Sequence, residues 1–511
     1  MCYTKCDNFF IVEDFMISGI QSTNNIAMMQ QTAGIGAPQA PAKEEATVSA
    51  PSDSVSFAPQ TKLEKTMAAT AAKAAAIEAN LAPHEPGEII VKTKAGAHSM
   101  VGVAERYGAS VMEKFEFPHD GLESLDGEMI HLKLPEGMTT AQAMAAMAED
   151  PTIEYAVPNH TYQMEDFVQE GDALTAEQLA NKQKMPNDLS DKMWDMHNVG
   201  QDGGKVDADI DAPEAWAKTT GLPNGQGPVI AIIDSGVDFT HPELKNNILV
   251  NQGEIPDNGI DDDGDGIVDN YYGYNAFSQN GDIMDHSGHG THVAGTIAAE
   301  GNNGAGVVGI NWTASLMPIR IFNDEGSTNA AAIIRGINYA TTHGARITTN
   351  SWGGGGANEA IKEAFEKSSC LHMMSAGNSG TNNDVQPHWP SDYDLPNNIA
   401  VAATDRRDEL ASFSCYGKNN VDVAAPGKDI LSTVPGGKYA VYSGTSMATP
   451  HVTGAVGLLL AQDPTMSNDE IKARIMQGGD KLASLDGKVA SGARLNVNGA
   501  MEFDYQGYIA K

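Results

Sequence analysis

VIAIIDSGVD, residues 229–238, opens with five apolar residues and turns polar at Asp234 and Ser235, just before Gly236. A short unbroken apolar run closed by a glycine turn reads as a strand buried on both faces, as in parallel sheets covered by helices. Asp234 then stands at the carboxyl end of that strand, which is where open α/β sheets place their functional groups.

Outward from this strand the alternation continues. SLMPIRIF (315–322), ARITTNSW (345–352), LHMMSAGN (371–378), NIAVAAT (398–404) and VDVAAPG (421–427) read as strands. Helices are expected from His289, over Ala330–His343 and Glu359–Ser368, and from near Thr445. The expected fold is α/β, a mostly parallel sheet with helices on both faces, over residues 187–511. Toward the amino terminus EIIVKTK (88–94), SVMEKFEF (110–117), EMIHLKL (128–134) and TIEYAVPN (152–159) read as strands, with helices at Ala97–Tyr107 and Thr139–Glu149. That βαββαβ order predicts a small α+β ferredoxin-like domain over 84–163. Residues 164–186 are polar and aperiodic and read as a processing linker. Residues 1–83 read as a weakly structured leader, whose alanine-rich stretch Leu63–Ala82 is a helix or a plain spacer.

The chain has 511 residues, enough for two or three units with a large core. Its formal charge of −35, from 32 basic and 67 acidic residues, argues against a nucleic-acid partner, which needs clustered Lys and Arg. Four cysteines (Cys2, Cys6, Cys370, Cys415) make no disulfide framework in a chain of this length. No run reaches membrane-spanning length, and the apolar stretch at Phe9–Val12 is too short for a secretory leader.

Two further segments supply what Asp234 lacks. HSGHGTHVAG (286–295) places His289 at the start of a helix, and SGTSMATPHVTG (443–454) places Ser446 beside Gly444 at another. A serine hydroxyl is a weak nucleophile until an imidazole takes its proton and a carboxylate orients that imidazole. Ser446, His289 and Asp234 provide those groups. His292, three residues after His289, lacks both the spacing and the glutamate of a helical zinc pair.

The order Asp, His, Ser and the three quoted segments resemble the subtilisin-like serine peptidases (subtilases), over roughly residues 187–503. The domain before them resembles, by its placement, the inhibitory propeptide of that family, whose tail lies in the active-site cleft. The resemblance implies a serine endopeptidase made as a self-processing zymogen, cut between Met164 and Asp188, acting on proteins and peptides through an acyl-enzyme. It also implies that Asn378 of SAGNSG is an oxyanion donor beside the Ser446 N–H, and that Ser351, Trp352 and Gly353 pair with substrate backbone. Glycines 353–356 would leave room for the side chain before the cut, with an apolar preference as the default.

DNGIDDDGDGIVDN (257–270) sets Asp261, Asp263, Asp265 and Asp269 at the D-x-D-x-D-G spacing that wraps oxygens around calcium, although Tyr272 stands at the twelfth position. GNNGAGVVG (301–309) resembles the family's calcium loop, with Asn303 as ligand and Glu243 reaching across. Structural Ca2+ is therefore expected. A propeptide and calcium loops suit an extracellular protein, whereas the lack of a recognisable leader and the unpaired cysteines suit the cytoplasm or an unusual export route; a monomer is expected. A non-catalytic scaffold that only binds peptides is the rival reading, and it would not require all four catalytic positions.

Overall fold

The computed structural model describes residues 70–95, 100–117, 127–165, 167–175 and 185–510. Most of the leader, including Cys2 and Cys6, lies outside the described residues.

From the amino-terminal side come α1 (Ala71–Glu78), β1 (His84–Thr93), α2 (Met100–Tyr107), β2 (Ser110–Phe115), β3 (Met129–Lys133), α3 (Thr140–Met147) and β4 (Ile153–Met164). The strands run antiparallel in the order β2-β3-β1-β4, the arrangement expected of the βαββαβ reading. α3 starts cleanly because Thr139 and Gln142 form a reciprocal capping box. α1 is more than a spacer: its Lys73 reaches Glu149, just past α3, at 2.8 Å.

β4 runs five residues beyond the sequence expectation because Thr161–Gln163 pair with β9 (Ser327–Asn329) and Gln163 and Met164 with β11 (Trp352–Gly353). The expected linker also contains a strand, β5 (Val168–Thr175), which pairs with β16 (Lys438–Ser443). Both strands escaped periodicity for the same reason. Backbone hydrogen bonds tolerate almost any side chain, so an edge pairing need not leave an alternating pattern.

The larger sheet runs β17 (Asp480–Lys481), β18 (Ala493–Arg494), β14 (Val423–Pro426), β13 (Asn398–Thr404), β12 (Leu371–Ser375), β10 (Ala345–Asn350), β6 (Val229–Asp234), β8 (Ser315–Arg320) and β7 (Tyr274–Asn275), parallel except at the β17–β18 edge. Within it, β6 sends Ile230 and Ile232 to one face and Ala231 and Ile233 to the other, and all four are buried. Helices α4 (His289–Ala298) and α5 (Thr445–Gln462) cover the first face with Val293, Ile297, Val452 and Leu459. α6 (Ala330–Thr342) and α7 (Glu359–Lys367) cover the second with Ile333, Ile337, Ile361 and Phe365. This double burial is why VIAIID carries no polar alternation.

Candidate active site

Asp234 is the last residue of β6, His289 the first of α4 and Ser446 the second of α5, so two helix amino ends meet one strand end. Glycines make the fit possible. A Cβ at Gly290 would fall 2.1 Å from the Gly236 carbonyl oxygen, so the backbones after His289 and Asp234 can approach only without a side chain there.

His289 Nδ1 lies 2.7 Å from Asp234 Oδ1, and both side chains are fully buried. Asp234 Oδ1 also accepts the Ser235 N–H at 2.7 Å. Burial disfavours the imidazolium, but the Asp234 charge and hydrogen bond, with Asp285 and Glu165 behind them, outweigh it and raise the pKa of His289 above the ordinary value. His289 Nε2, the nitrogen facing away from Asp234, has no hydrogen-bond partner among the described residues. Ser446 Oγ points to the Ser351 carbonyl oxygen at 3.2 Å and to Glu165 Oε2 at 3.4 Å. His292 serves the framework instead. Its Nε2 meets the carbonyls of Ile430 and Ala440 at 3.0 and 3.2 Å, and burial drives its pKa down to about 3.

Asn378 follows β12 (Leu371–Ser375). Its Oδ1 accepts the Thr445 N–H at 2.8 Å, which turns Nδ2 toward the site, where it meets Glu165 Oε2 at 3.3 Å. Ser351 Oγ donates to the Ser446 carbonyl at 3.1 Å, and the Trp352 indole donates to Ile233 O at 3.0 Å, fixing the edge on which β4 pairs. Of the four glycines expected to open the pocket, Gly353 borders Glu165, whereas a Cβ at Gly355 would fall 2.7 Å from the Tyr162 ring. The glycines thus serve two side chains of the tail, and the side chain nearest Ser446 is an acid rather than an apolar group.

The acidic residues form two groups. Glu254, Asp261 and Asp263 bring one carboxylate oxygen each within 4.8 Å of one another. Asp265 and Asp269 fall outside that group. Asp265 accepts from the Ile267 N–H and Asn270 Nδ2, and Asp269 from the N–H groups of Asn258 and Gly259. In the second group Asn303 Nδ2 donates to Glu243 Oε2 at 2.6 Å, and the Asn303 N–H donates to Asp188 Oδ2 at 2.8 Å. Burial pushes Glu243 up to about 7 and raises Asp188 as well. In each group one buried carboxylate oxygen, Glu254 Oε2 and Asp188 Oδ1, lacks a partner among the described residues. Orphaned buried anionic oxygens fit a hard cation.

Glu254, Asp188, Glu165 and His388 were not picked out in the sequence. The first two flank recognised loops, so proximity was an available signal. Glu165 and His388 belong to no motif and meet only through the fold.

A buried Asp–His pair beside a serine at a helix amino end, on a doubly covered parallel sheet, defines a serine peptidase of the α/β class. The comparisons narrow this. The subtilase family profile matches residues 225–493, and that of the fervidolysin N-terminal prodomain matches residues 70–159. Thermitase of Thermoactinomyces vulgaris is 39% identical over 298 residues, 58% of this chain and 94% of that protein. The thermophilic serine proteinase of Bacillus sp. strain AK1 is 35% identical over 342 residues, 66% of this chain and 70% of that protein. The crystal structure of fervidolysin from Fervidobacterium pennivorans shares the fold, with TM-score 0.60 and 24% identity over 82% of this chain and 61% of that one. The chain belongs to the subtilase family and is a serine-type endopeptidase with an amino-terminal propeptide.

Proposed function

We propose that the chain is a calcium-dependent zymogen with a leader (1–83), an inhibitory propeptide (84–163), a processing segment (164–186) and a peptidase domain (187–511). Ser446 is the nucleophile, His289 the base and then the acid, Asp234 the group that orients it, and Asn378 with the Ser446 N–H the oxyanion donors. The supporting observation is the propeptide tail, which lies as a strand between β9 and β11 and brings Glu165 to Ser446 and Asn378.

In the forward step a bond forms from Ser446 Oγ to the scissile carbonyl carbon, and the hydroxyl proton passes to His289 Nε2. Negative charge collects on the carbonyl oxygen near Asn378 Nδ2. The C–N bond then breaks as His289 returns the proton to the leaving amine, and water hydrolyses the acyl-enzyme by the same route. Ser446 must first rotate from the Ser351 carbonyl toward His289.

Ser446→Ala is expected to leave the precursor uncut and unlabelled by a fluorophosphonate. Unchanged processing in that variant would overturn the assignment. Asn378→Ala is expected to lower kcat by about 10²–10³-fold with little change in KM.

Calcium would be held by Glu254, Asp261 and Asp263 in one place, and by Asp188, Glu243 and Asn303 in the other. It would neutralise buried carboxylates and tie the loops that carry them. Chelation is expected to lower the melting temperature and admit self-cleavage, with Glu243→Gln losing most of the calcium-dependent shift. Identical melting curves with and without chelator would remove the calcium assignment.

A further inference from the structure

The residue that follows β4 is Glu165, and it is 8% exposed. Its position is set by backbone register rather than by its own side chain. Gln163 stands opposite Gly353 and Met164 opposite Trp352, while Thr161, Tyr162 and Gln163 pair with β9. A strand held on both edges cannot slip by one residue without losing both ladders. On the far side of Glu165, the Phe167 ring rests 5.1 Å from His289 and 4.4 Å from Tyr442, and β5 continues along β16. The two ladders and the Phe167 contact thus bring the chain at Glu165 to Ser446, with Glu165 Oε2 3.4 Å from Ser446 Oγ.

The pocket around its side chain is built from the peptidase domain. Ser375 Oγ donates to Oε1 at 2.6 Å, and His388 Nε2 lies 3.4 Å from the same oxygen. Thr445 Oγ1 meets Oε2 at 3.0 Å, beside the contacts from Asn378 and Ser446. Gly353 and Gly377 make room for the histidine. A Cβ would fall 2.2 Å from His388 Cε1 at the first and 2.8 Å from Cδ2 at the second.

The hydrogen bonds also orient the ring of His388. His388 Nδ1 lies 3.1 Å from Ser391 Oγ, which also reaches the His388 carbonyl and Asp392 Oδ1, and this contact turns Nε2 toward Glu165. Nε2 can bond a carboxylate when it carries a proton. A buried carboxylate without such partners is costly, and an apolar side chain would take the place of these three contacts without replacing any of them. Both effects favour an acid.

We propose that His388, Ser375 and Thr445 form a carboxylate-reading pocket, that the enzyme cuts after glutamate in its substrates, and that it matures by cutting after Glu165. This rests on the serine-peptidase reading above. The maturation step is that same hydrolysis: water gives its hydroxyl to the Glu165 carbonyl and a proton to the new amino terminus.

The test is a series of otherwise identical chromogenic peptides with Glu, Asp, Gln, Leu or Phe before the cut, given to the processed enzyme. The amino terminus of that enzyme is sequenced in parallel. Glutamate is expected to exceed glutamine and phenylalanine by about tenfold or more in kcat/KM, with aspartate, one methylene shorter, behind it. His388→Ala is expected to bring the Glu to Gln ratio toward one, a change that a general loss of stability does not produce. Glu165→Phe is expected to slow self-processing, and the first cut fragment is expected to begin DFVQ. Enzyme that labels with a fluorophosphonate yet prefers Leu or Phe overturns the pocket and leaves the catalytic reading standing. Absence of labelling in processed enzyme overturns both.

Discussion

The two main sheets of this chain bury their faces by different means. The peptidase sheet is covered on both sides by its own helices, with Ile230 and Ile232 in one core and Ala231 and Ile233 in the other. The propeptide sheet covers one face itself: Ile89, Val91, Ile130 and Leu132 pack on Val103 of α2 and on Ala143 and Met147 of α3. Its other face, with Ile90, Phe115, Phe117 and Met129, joins the core cluster of the peptidase that contains Ile333 and Ile334. Charges border that junction. Lys92 pairs with Glu363 at 2.5 Å and Arg335 with Glu113 at 2.8 Å, and the Tyr155 hydroxyl bonds Glu363. One sheet is thus complete within its domain, and the other is complete only while docked.

The largest expected effect comes from separating them. A fragment of residues 70–165 exposes a whole apolar sheet face, and a domain of that size has little stability to spare. Its circular dichroism is expected to show a largely unfolded chain that gains structure when Ser446→Ala peptidase is added. A cooperative melting transition in the isolated fragment, as sharp as that of the peptidase, would end the comparison.

Ile89 and Ile90 are both fully buried and lie on opposite faces of β1, so they sharpen it. Each change to alanine is expected to weaken inhibition in trans by about 2–4 kcal/mol. A folding osmolyte should recover most of the loss for Ile89→Ala, whose defect lies in the propeptide's own fold, and little for Ile90→Ala, whose defect lies in docking. Lys92→Met ranks lower, at about 1–3 kcal/mol in the same inhibition assay, because Glu363 keeps Lys367 at 3.1 Å and the Tyr155 hydroxyl.

How much of this was legible followed the source of each contact. The parallel sheet could be read because a strand covered twice must be apolar throughout, as VIAIID is. β1 and β3 of the propeptide could be read because both of their faces are buried, whichever domain covers them. β5 and the end of β4 could not, since backbone pairing tolerates almost any side chain. Asp234, His289, Ser446 and Asn378 sit in segments whose glycines and order are distinctive, so they were visible. Glu165 and His388 come together across more than two hundred residues of chain, and neither has a neighbour in sequence that betrays the other. Asp265 and Asp269 had the right spacing, but the fold gathers the oxygens of Glu254, Asp261 and Asp263 instead.

The smallest effect expected is on pH, and His160 carries it. Asn358 Oδ1 accepts the Ala360 and Ile361 N–H groups at the start of α7, which fixes that amide and turns its Nδ2 to His160 Nδ1 at 3.2 Å. That ring nitrogen must therefore keep its lone pair in the docked state. Burial, and then the nearby His84, lower the His160 pKa from 6.5 to about 4. A group whose pKa is lower when docked favours docking above its free value and opposes it below, so inhibition should hold above pH 6.5 and weaken from there to about pH 4. The slope cannot exceed about tenfold per pH unit for one proton. Glu88 acts in the same direction at lower pH. Its hydrogen bond to His131, with others from Asn159 and Lys133, outweighs burial and lowers its pKa from 4.5 to about 2, so its contribution is lost as pH falls between those values. Inhibition constants measured from pH 8 down to pH 4 should rise less steeply for His160→Gln, which cannot take up the proton. An unchanged slope in that variant would assign the acid sensitivity to the charged border of the docking face rather than to its centre.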